Sequence, residues 1–188
     1  MNDVAQELVI LVDPQDRELG LMEKMVAHEN GLLHRAFSVF LFNTRGEMLI
    51  HKRAEDKYHS GGLWTNACCS HPRPGETVEQ AAHRRLQEEM GFDCDLQEAF
   101  SFTYRAELDH EMTEYEFDHV VLGTFDGPVT PNPEEVADYR FVSLDELQGQ
   151  IDKKPEDFTV WFRIALPKVM QHLNATGNEG NSKTKSAF

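Results

Sequence analysis

The sequence predicts a single α+β domain built on a mixed β-sheet, and three observations predict it. Apolar and aromatic runs of strand length recur along the chain, and a short turn of hairpin type joins two of them. One segment, Val78 to Met90, carries helical periodicity with a start and a stop signal. The strands interleave with only a few helices, without an internal repeat, which argues for α+β. The chain has 188 residues, of which 40% are hydrophobic and 27% charged, enough for one domain with a real core.

Leu8 to Asp13 is a short apolar strand, followed by the turn Pro14-Gln15-Asp16. Arg35 to Asn43 places Phe37, Val39 and Leu41 on one face of a second strand. The turn Asn43-Thr44-Arg45-Gly46 then leads into Met48-Leu49-Ile50, which predicts a hairpin. Around Gly61-Gly62 the chain becomes loop-like before Trp64-Thr65-Asn66. The helix Val78 to Met90 has a capping box in Thr77 and Gln80 and a stop in Gly91. Val78, Ala81, Ala82, Leu86 and Met90 make its buried stripe, while Arg85 and Glu89 share another face. Strands are expected at Phe100–Arg105, Glu114–Phe125 and Tyr139–Val142. Ser143 with Glu146 caps a short helix, and Phe158 to Leu173 reads as a last helix interrupted by Pro167. Residues 1–173 thus form the domain, and the polar, small-residue tail 174–188 is expected to be disordered.

The composition bounds the function. Acidic residues outnumber basic ones 33 to 18, for a net charge of −15, which repels nucleic acid and anionic membrane surfaces. No apolar run approaches the length of a membrane span. The N-terminus has an early acid and no basic region, unlike a signal peptide. Three cysteines, two of them adjacent, form no disulfide framework, which fits a reducing compartment. These features predict a cytoplasmic protein and leave monomer and homodimer open. An anionic ligand requires local cations or a metal to overcome the global field.

Four segments carry chemistry. His28 and His34 lie six apart, a spacing that is not a helical metal pair. Cys69-Ser70-His71 reads either as a metal or nucleophile site or as a small buried cysteine beside a loop histidine. Glu114 and Glu116 alternate in a strand, so both carboxylates point to one face, where a cation would remove their repulsion. Three histidines and two carboxylates form an N/O donor set suited to Mn²⁺, Zn²⁺ or Mg²⁺. The fourth segment runs from Ser70 through Glu76 to Arg84-Arg85-Leu86-Gln87-Glu88-Glu89-Met90-Gly91. It resembles the Nudix box, a loop–helix–loop that holds divalent cations on diphosphates. Ser70 stands where the box has glycine, and Arg85 where it has a metal-binding glutamate. That charge reversal suits an enzyme that grips a diphosphate and leaves it intact.

With those departures the chain resembles the type I isopentenyl-diphosphate isomerases from about Leu8 to Leu173. The segments that carry the likeness are Met22-Glu-Lys24, Leu33-His-Arg-Ala-Phe-Ser38, Lys52-Arg53-Ala54, Trp64-Thr-Asn66, Cys69-Ser-His71-Pro72, Arg84-Arg85-Leu86, Tyr104-Arg105-Ala106, Glu114-Tyr-Glu116 and Asn132-Pro-Glu-Glu-Val136. The resemblance implies a Nudix-type mixed sheet sandwiched by helices and an isoprenoid diphosphate as substrate. It implies that His28, His34, His71, Glu114 and Glu116 hold a tightly bound divalent ion, and that Glu89 holds a substrate-associated Mg²⁺. Cys69 and Glu116 match the acid–base pair, with Tyr104 hydrogen-bonded beside the glutamate. Lys24, Arg53, Lys57, Arg85 and Ser70 match the residues around the diphosphate, and Trp161 an aromatic over the hydrocarbon. Which of Cys69 and Glu116 gives the proton stays open at this level. Cys68, next to Cys69, faces the other way in an extended segment and is expected to be an inert core residue. Cys94, His51, His59, His83, His110, His119 and His172 are read as structural or surface residues. The competing reading is a Nudix-type diphosphate hydrolase, against which Arg85 speaks.

Overall fold

A computed structural model describes residues 7–182. Its elements in chain order are β1 (Leu8–Val12), β2 (Glu18–Glu23), α1 (Lys24–Glu29), β3 (His34–Phe42), β4 (Met48–Arg53), β5 (Trp64–Thr65), β6 (Cys68–Ser70), α2 (Val78–Met90), β7 (Leu96–Glu107), β8 (Thr113–Thr124), β9 (Val136–Val142), α3 (Leu144–Lys153) and α4 (Val160–Ser182). All nine strands join one mixed sheet. Its hub is β3, which pairs antiparallel with β1, β4 and β6 and parallel with β8. β7 folds back on β8 as a long hairpin, and β9 and β5 lie along β4.

The alternation of side chains along β3 decides the layers. Phe37, Val39 and Leu41 pack with Ala81, Ala82, Leu86 and Met90 of α2. Phe40 points the other way and packs with Leu147 of α3 and Phe162, Leu166 and Val169 of α4. The sheet is therefore sandwiched between helices, and both faces are apolar. Each fully buried Leu or Phe side chain here contributes roughly 1.5–3 kcal/mol. The same alternation in β6 sends Cys68 into the α2 side, where it is fully buried, and leaves Cys69 packed toward the opposite face.

The helix α2 starts and stops where its end signals lie. Thr77 and Gln80 form the reciprocal capping box, and Gly91 closes the helix in the left-handed region at φ +74°. A side chain at Gly91 would meet the backbone of Thr130, so glycine serves both the conformation and the close approach.

Several expectations are corrected. The hairpin at Asn43–Gly46 forms, but β3 and β4 pair only at Phe42 and Met48 before diverging. Pro167 does not interrupt the last helix, which continues through it. Burial of the flanking Leu166 and Val169 offsets the missing hydrogen bond, since proline lacks the N–H. The helix also runs on to Ser182, so 174–182 is helical and not a disordered tail. The rest of that tail, 183–188, lies outside the described residues. No helix among the described residues is long and apolar enough to cross a membrane.

Candidate metal and acid–base site

The site is assembled across three strands and a short helix. His34 opens β3 and lies in register with Glu116 of the parallel strand β8, which brings their side chains together. His71 follows β6, and His28 sits in the last turn of α1. Each of the two buried histidines has its Nδ1 spent: that of His28 donates to the Lys24 carbonyl and that of His34 to the Leu32 carbonyl, both at 2.7 Å. The Nε2 of each is therefore a bare lone pair in the neutral ring. Nε2 of His34 lies 3.2 Å from Nε2 of His71 and 3.6 Å from Oε1 of Glu116. His71 Nε2 is 3.0 Å from the same Glu116 oxygen. The Nε2 of His28 is buried and has no hydrogen-bond partner.

The donor atoms of His28, His34, His71 and Glu116 all lie within 4.8 Å of one another. Glu114 joins a second group at the same spacing, with His28 and His59. His28 is thus common to both groups, and the five residues expected as ligands lie in one contiguous cluster. An orphaned, buried imidazole nitrogen facing other N and O donors fits a divalent cation.

Electrostatics support that fit. Burial pushes the histidines toward neutrality, His71 to about 3 and His59 to about 2, and lowers His28 as well. Burial also opposes charge on Glu116, yet the His34 and His71 imidazoles, with Nε2 at 3.6 and 3.0 Å, outweigh it and hold its carboxyl well below the usual range. Glu114 is pushed well above that range by burial and by the neighbouring Glu116. The Tyr104 hydroxyl lies between them, 2.8 Å from one oxygen of Glu114 and 2.7 Å from one of Glu116. With one proton to give, it cannot satisfy two carboxylates, and a cation relieves the rest of the conflict.

Cys69 lines the same cavity from β6, two residues before His71. Its Sγ donates to Oδ1 of Asn66 at 3.0 Å and lies 3.4 Å from Oγ of Ser38. Both N–H groups of the Asn66 amide are committed to the carbonyls of Val39 and Cys68, which fixes Oδ1 toward the thiol. Ser38 in turn donates to the buried Asp118 at 2.8 Å. Burial pushes the Cys69 thiol well above its ordinary range, and the nearby Asp118 adds to that, so Sγ keeps its proton.

Of the residues expected at the site, all but His28 and His34 line this one cavity; those two are buried behind it. Arg53 lies over the Trp161 ring at 5.1 Å, and Lys24 over Tyr58 at 4.5 Å. Three of the four cations are ion-paired, and Arg53 donates instead to the carbonyls of His59 and Ser60. Lys24 pairs with Glu7, Lys57 with Glu135, and Arg85 with Glu88 and Glu89 at 2.7 and 2.6 Å. The carboxylate of Glu89 is buried and also accepts from Cys68 at 3.5 Å. Arg84 forms a two-pronged pair with Glu76, which ties the box's loop to its helix.

Sequence reasoning missed four contributors: His59, Asn66, Ser38 and Asp118. Asn66 and Ser38 stood inside the quoted segments with no role attached. Asp118 continues the alternation of Glu114 and Glu116, and that periodicity was a usable signal. His59 sits in a loop before two glycines and carried no spacing signal.

Residues 32–162 match the NUDIX domain family, the class of protein that this sheet sandwich and its Glu/Arg-rich loop–helix define. Among solved structures, a Deinococcus radiodurans protein shares the fold with a TM-score of 0.66 at 21% identity, over 78% of this chain and 90% of that one. A curated isopentenyl-diphosphate Delta-isomerase of Pectobacterium atrosepticum is 48% identical over 91% of this chain and 96% of its own length. Another, of Photobacterium profundum, is 52% identical over 92% of this chain and 99% of its own. The chain belongs to the isopentenyl-diphosphate Delta-isomerase family.

Proposed function

We propose that the protein converts isopentenyl diphosphate to dimethylallyl diphosphate by adding one proton and removing another. The observation that carries this is a single cavity in which a thiol is kept protonated and a carboxylate kept ionised, beside a ring of cations. A hydrolase has no use for that thiol.

The diphosphate is held by Lys24, Arg53, Lys57 and Arg85, with the Ser70 hydroxyl beside them, and the five-carbon unit lies between Cys69 and Glu116. The Cys69 thiol gives its proton to the terminal alkene carbon, using the π electrons for the new C–H bond. The cation left at the tertiary carbon is shielded from water and faces Trp161, whose ring contributes roughly 0.5–2 kcal/mol to a cation at its face. Glu116 then takes a proton from the carbon nearer the diphosphate, and that C–H pair becomes the new double bond. Tyr104 holds the Glu116 carboxylate in place through the step. The histidines with Glu114 and Glu116 would hold a divalent ion, Mn²⁺, Zn²⁺ or Mg²⁺, and Glu89 a substrate-associated Mg²⁺; when bound, these would supply positive charge beside Glu116 and the diphosphate. The three free cysteines fit work in the cytoplasm.

The test is proton NMR of the protein with Mg²⁺ and isopentenyl diphosphate in D₂O. Dimethylallyl diphosphate carrying deuterium, and its loss on adding EDTA, is the expected result. Unchanged substrate in the presence of both Mg²⁺ and Mn²⁺ overturns the reading, and phosphate released from a nucleoside diphosphate would replace it with hydrolysis.

A further inference from the structure

His59 lies outside the five-residue ligand set, yet the fold aims it at that set. It is 4% exposed, and its donor atom lies within 4.8 Å of those of His28 and Glu114. Its Nε2 is 3.9 Å from Oε1 of Glu114, too long for a hydrogen bond. Two donors bound to one ion at about 2.1 Å sit roughly 3–4.2 Å apart, depending on the angle between them. The separations His34–His71, His71–Glu116 and His34–Glu116, at 3.2, 3.0 and 3.6 Å, fall in that same interval.

The tautomer can be arranged as it is for His28 and His34. His59 Nδ1 faces the Ser60 hydroxyl at 3.3 Å, which can accept its proton and leave Nε2 bare. The loop that carries His59 is fixed at several points. Arg53 donates to the carbonyls of His59 and Ser60 at 3.1 and 3.2 Å, and Ser60 takes a positive φ of 51°. A Cβ on Gly61 would strike the Glu55 carbonyl at 2.3 Å, so the loop closes this tightly only with glycine there. A surface loop pinned in this way holds its histidine in one place.

We propose that His59 is a fourth histidine ligand of the resident divalent ion, bound through Nε2 on the Glu114 side of the centre. The full donor set, His28, His34, His59, His71, Glu114 and Glu116, then consists of two groups that share His28, each with its donor atoms within 4.8 Å of one another, which one ion would draw together on binding. Four imidazoles with two carboxylates favour a transition metal such as Mn²⁺, Co²⁺ or Zn²⁺ over Mg²⁺, which prefers oxygen. The His59 ring also meets Trp161 edge-on at 5.6 Å, so the ion and the hydrocarbon wall share a side chain.

The inference rests on the metal centre of the proposed function, and Co²⁺ alone separates the two. Metal-free protein, H59F and H59A are titrated with Co²⁺, following the visible spectrum and competition with a chelator. H59F keeps a ring against Trp161 and Tyr58 while removing both nitrogens, so it is the variant expected to stay folded. The expected result is a loss of Co²⁺ affinity on the order of 10–100-fold in H59F with a changed visible band, at an unaltered circular dichroism spectrum. Wild-type affinity and spectrum in folded H59F overturn the assignment, including the case where only KM rises. Failure of the wild-type protein to bind Co²⁺ overturns the metal centre and His59 together. Co²⁺ binding without isomerase turnover sinks the proposed reaction and leaves His59 standing.

Discussion

Cys68 and Cys69 are adjacent, identical in type and opposite in fate. The pleat of β6 turns one thiol into the α2 core and the other toward the cavity, where Asn66 and Ser38 hold it. We expect C69A and E116Q each to reduce turnover below detection while leaving the melting temperature within a few degrees. C68A should retain turnover and lose stability through the space left beside Glu89. Deuterium incorporation by NMR with a parallel thermal melt checks all three, and full turnover in both C69A and E116Q would remove the proton-transfer scheme. Tyr104→Phe leaves two buried carboxylates without their shared donor, so it should lower kcat. In the metal-free protein it should cost about 1–3 kcal/mol of stability, measured by urea denaturation.

At the scale of elements, the sequence was most legible where a local signal is complete. The helix α2 was readable to the residue because capping box, apolar stripe and glycine stop all agree. Thr77→Ala should therefore cost about 1 kcal/mol of stability through loss of the cap. Because Thr77 is exposed and outside the cavity, turnover per folded molecule should stay unchanged; a thermal melt with a parallel assay tests both. Alternation placed Phe37, Val39 and Leu41 on one face and set Glu114 beside Glu116. Less legible were α1, six residues and too short for a helical period, and β2, whose residues are largely exposed. The end of β3–β4 pairing was invisible as well, because β8 fills one edge of β3 and β6, from farther along the chain, takes the middle of the other. His59 belongs to this class: only the closed loop tells where its ring points.

For the whole molecule, pH dependence follows from groups that titrate differently in the folded and unfolded chain. His51, His59 and His71 are held down to about 3, 2 and 3, against an ordinary 6.5, by burial first, and His28 is lowered as well. The unfolded chain therefore takes protons first, and the stability they contribute above 6.5 is lost as pH falls toward 3. Glu114 and Asp118 are raised by burial, so their folded forms take protons earlier and offset that loss until the ordinary carboxylate range is reached. Below about pH 4.5 the offset is complete, and Glu7, Glu76 and Glu135, each lowered by hydrogen bonds to cations or by their charge, add to the loss. Metal-free protein should lose stability shallowly between pH 6.5 and 4.5 and steeply below that, by urea denaturation across the series. A steep loss already at pH 6 would contradict the burial of the two raised carboxyls.

The cations of the cavity are never bare: Arg85 leans on Glu88 and Glu89, and Lys57 on Glu135. On the proposed reading, an arriving diphosphate would enter as a swap, trading its oxygens for carboxylates already in place. The affinity would then be the difference between two sets of ion pairs, and the displaced Glu89 would become a vacant seat for a cation travelling with the substrate. Anion and cation should then each tighten the other's hold by the same factor, as linkage demands. Diphosphate affinity measured by calorimetry should rise with Mg²⁺, and R85E, which removes the swapped partner, should weaken the anion and blunt that dependence.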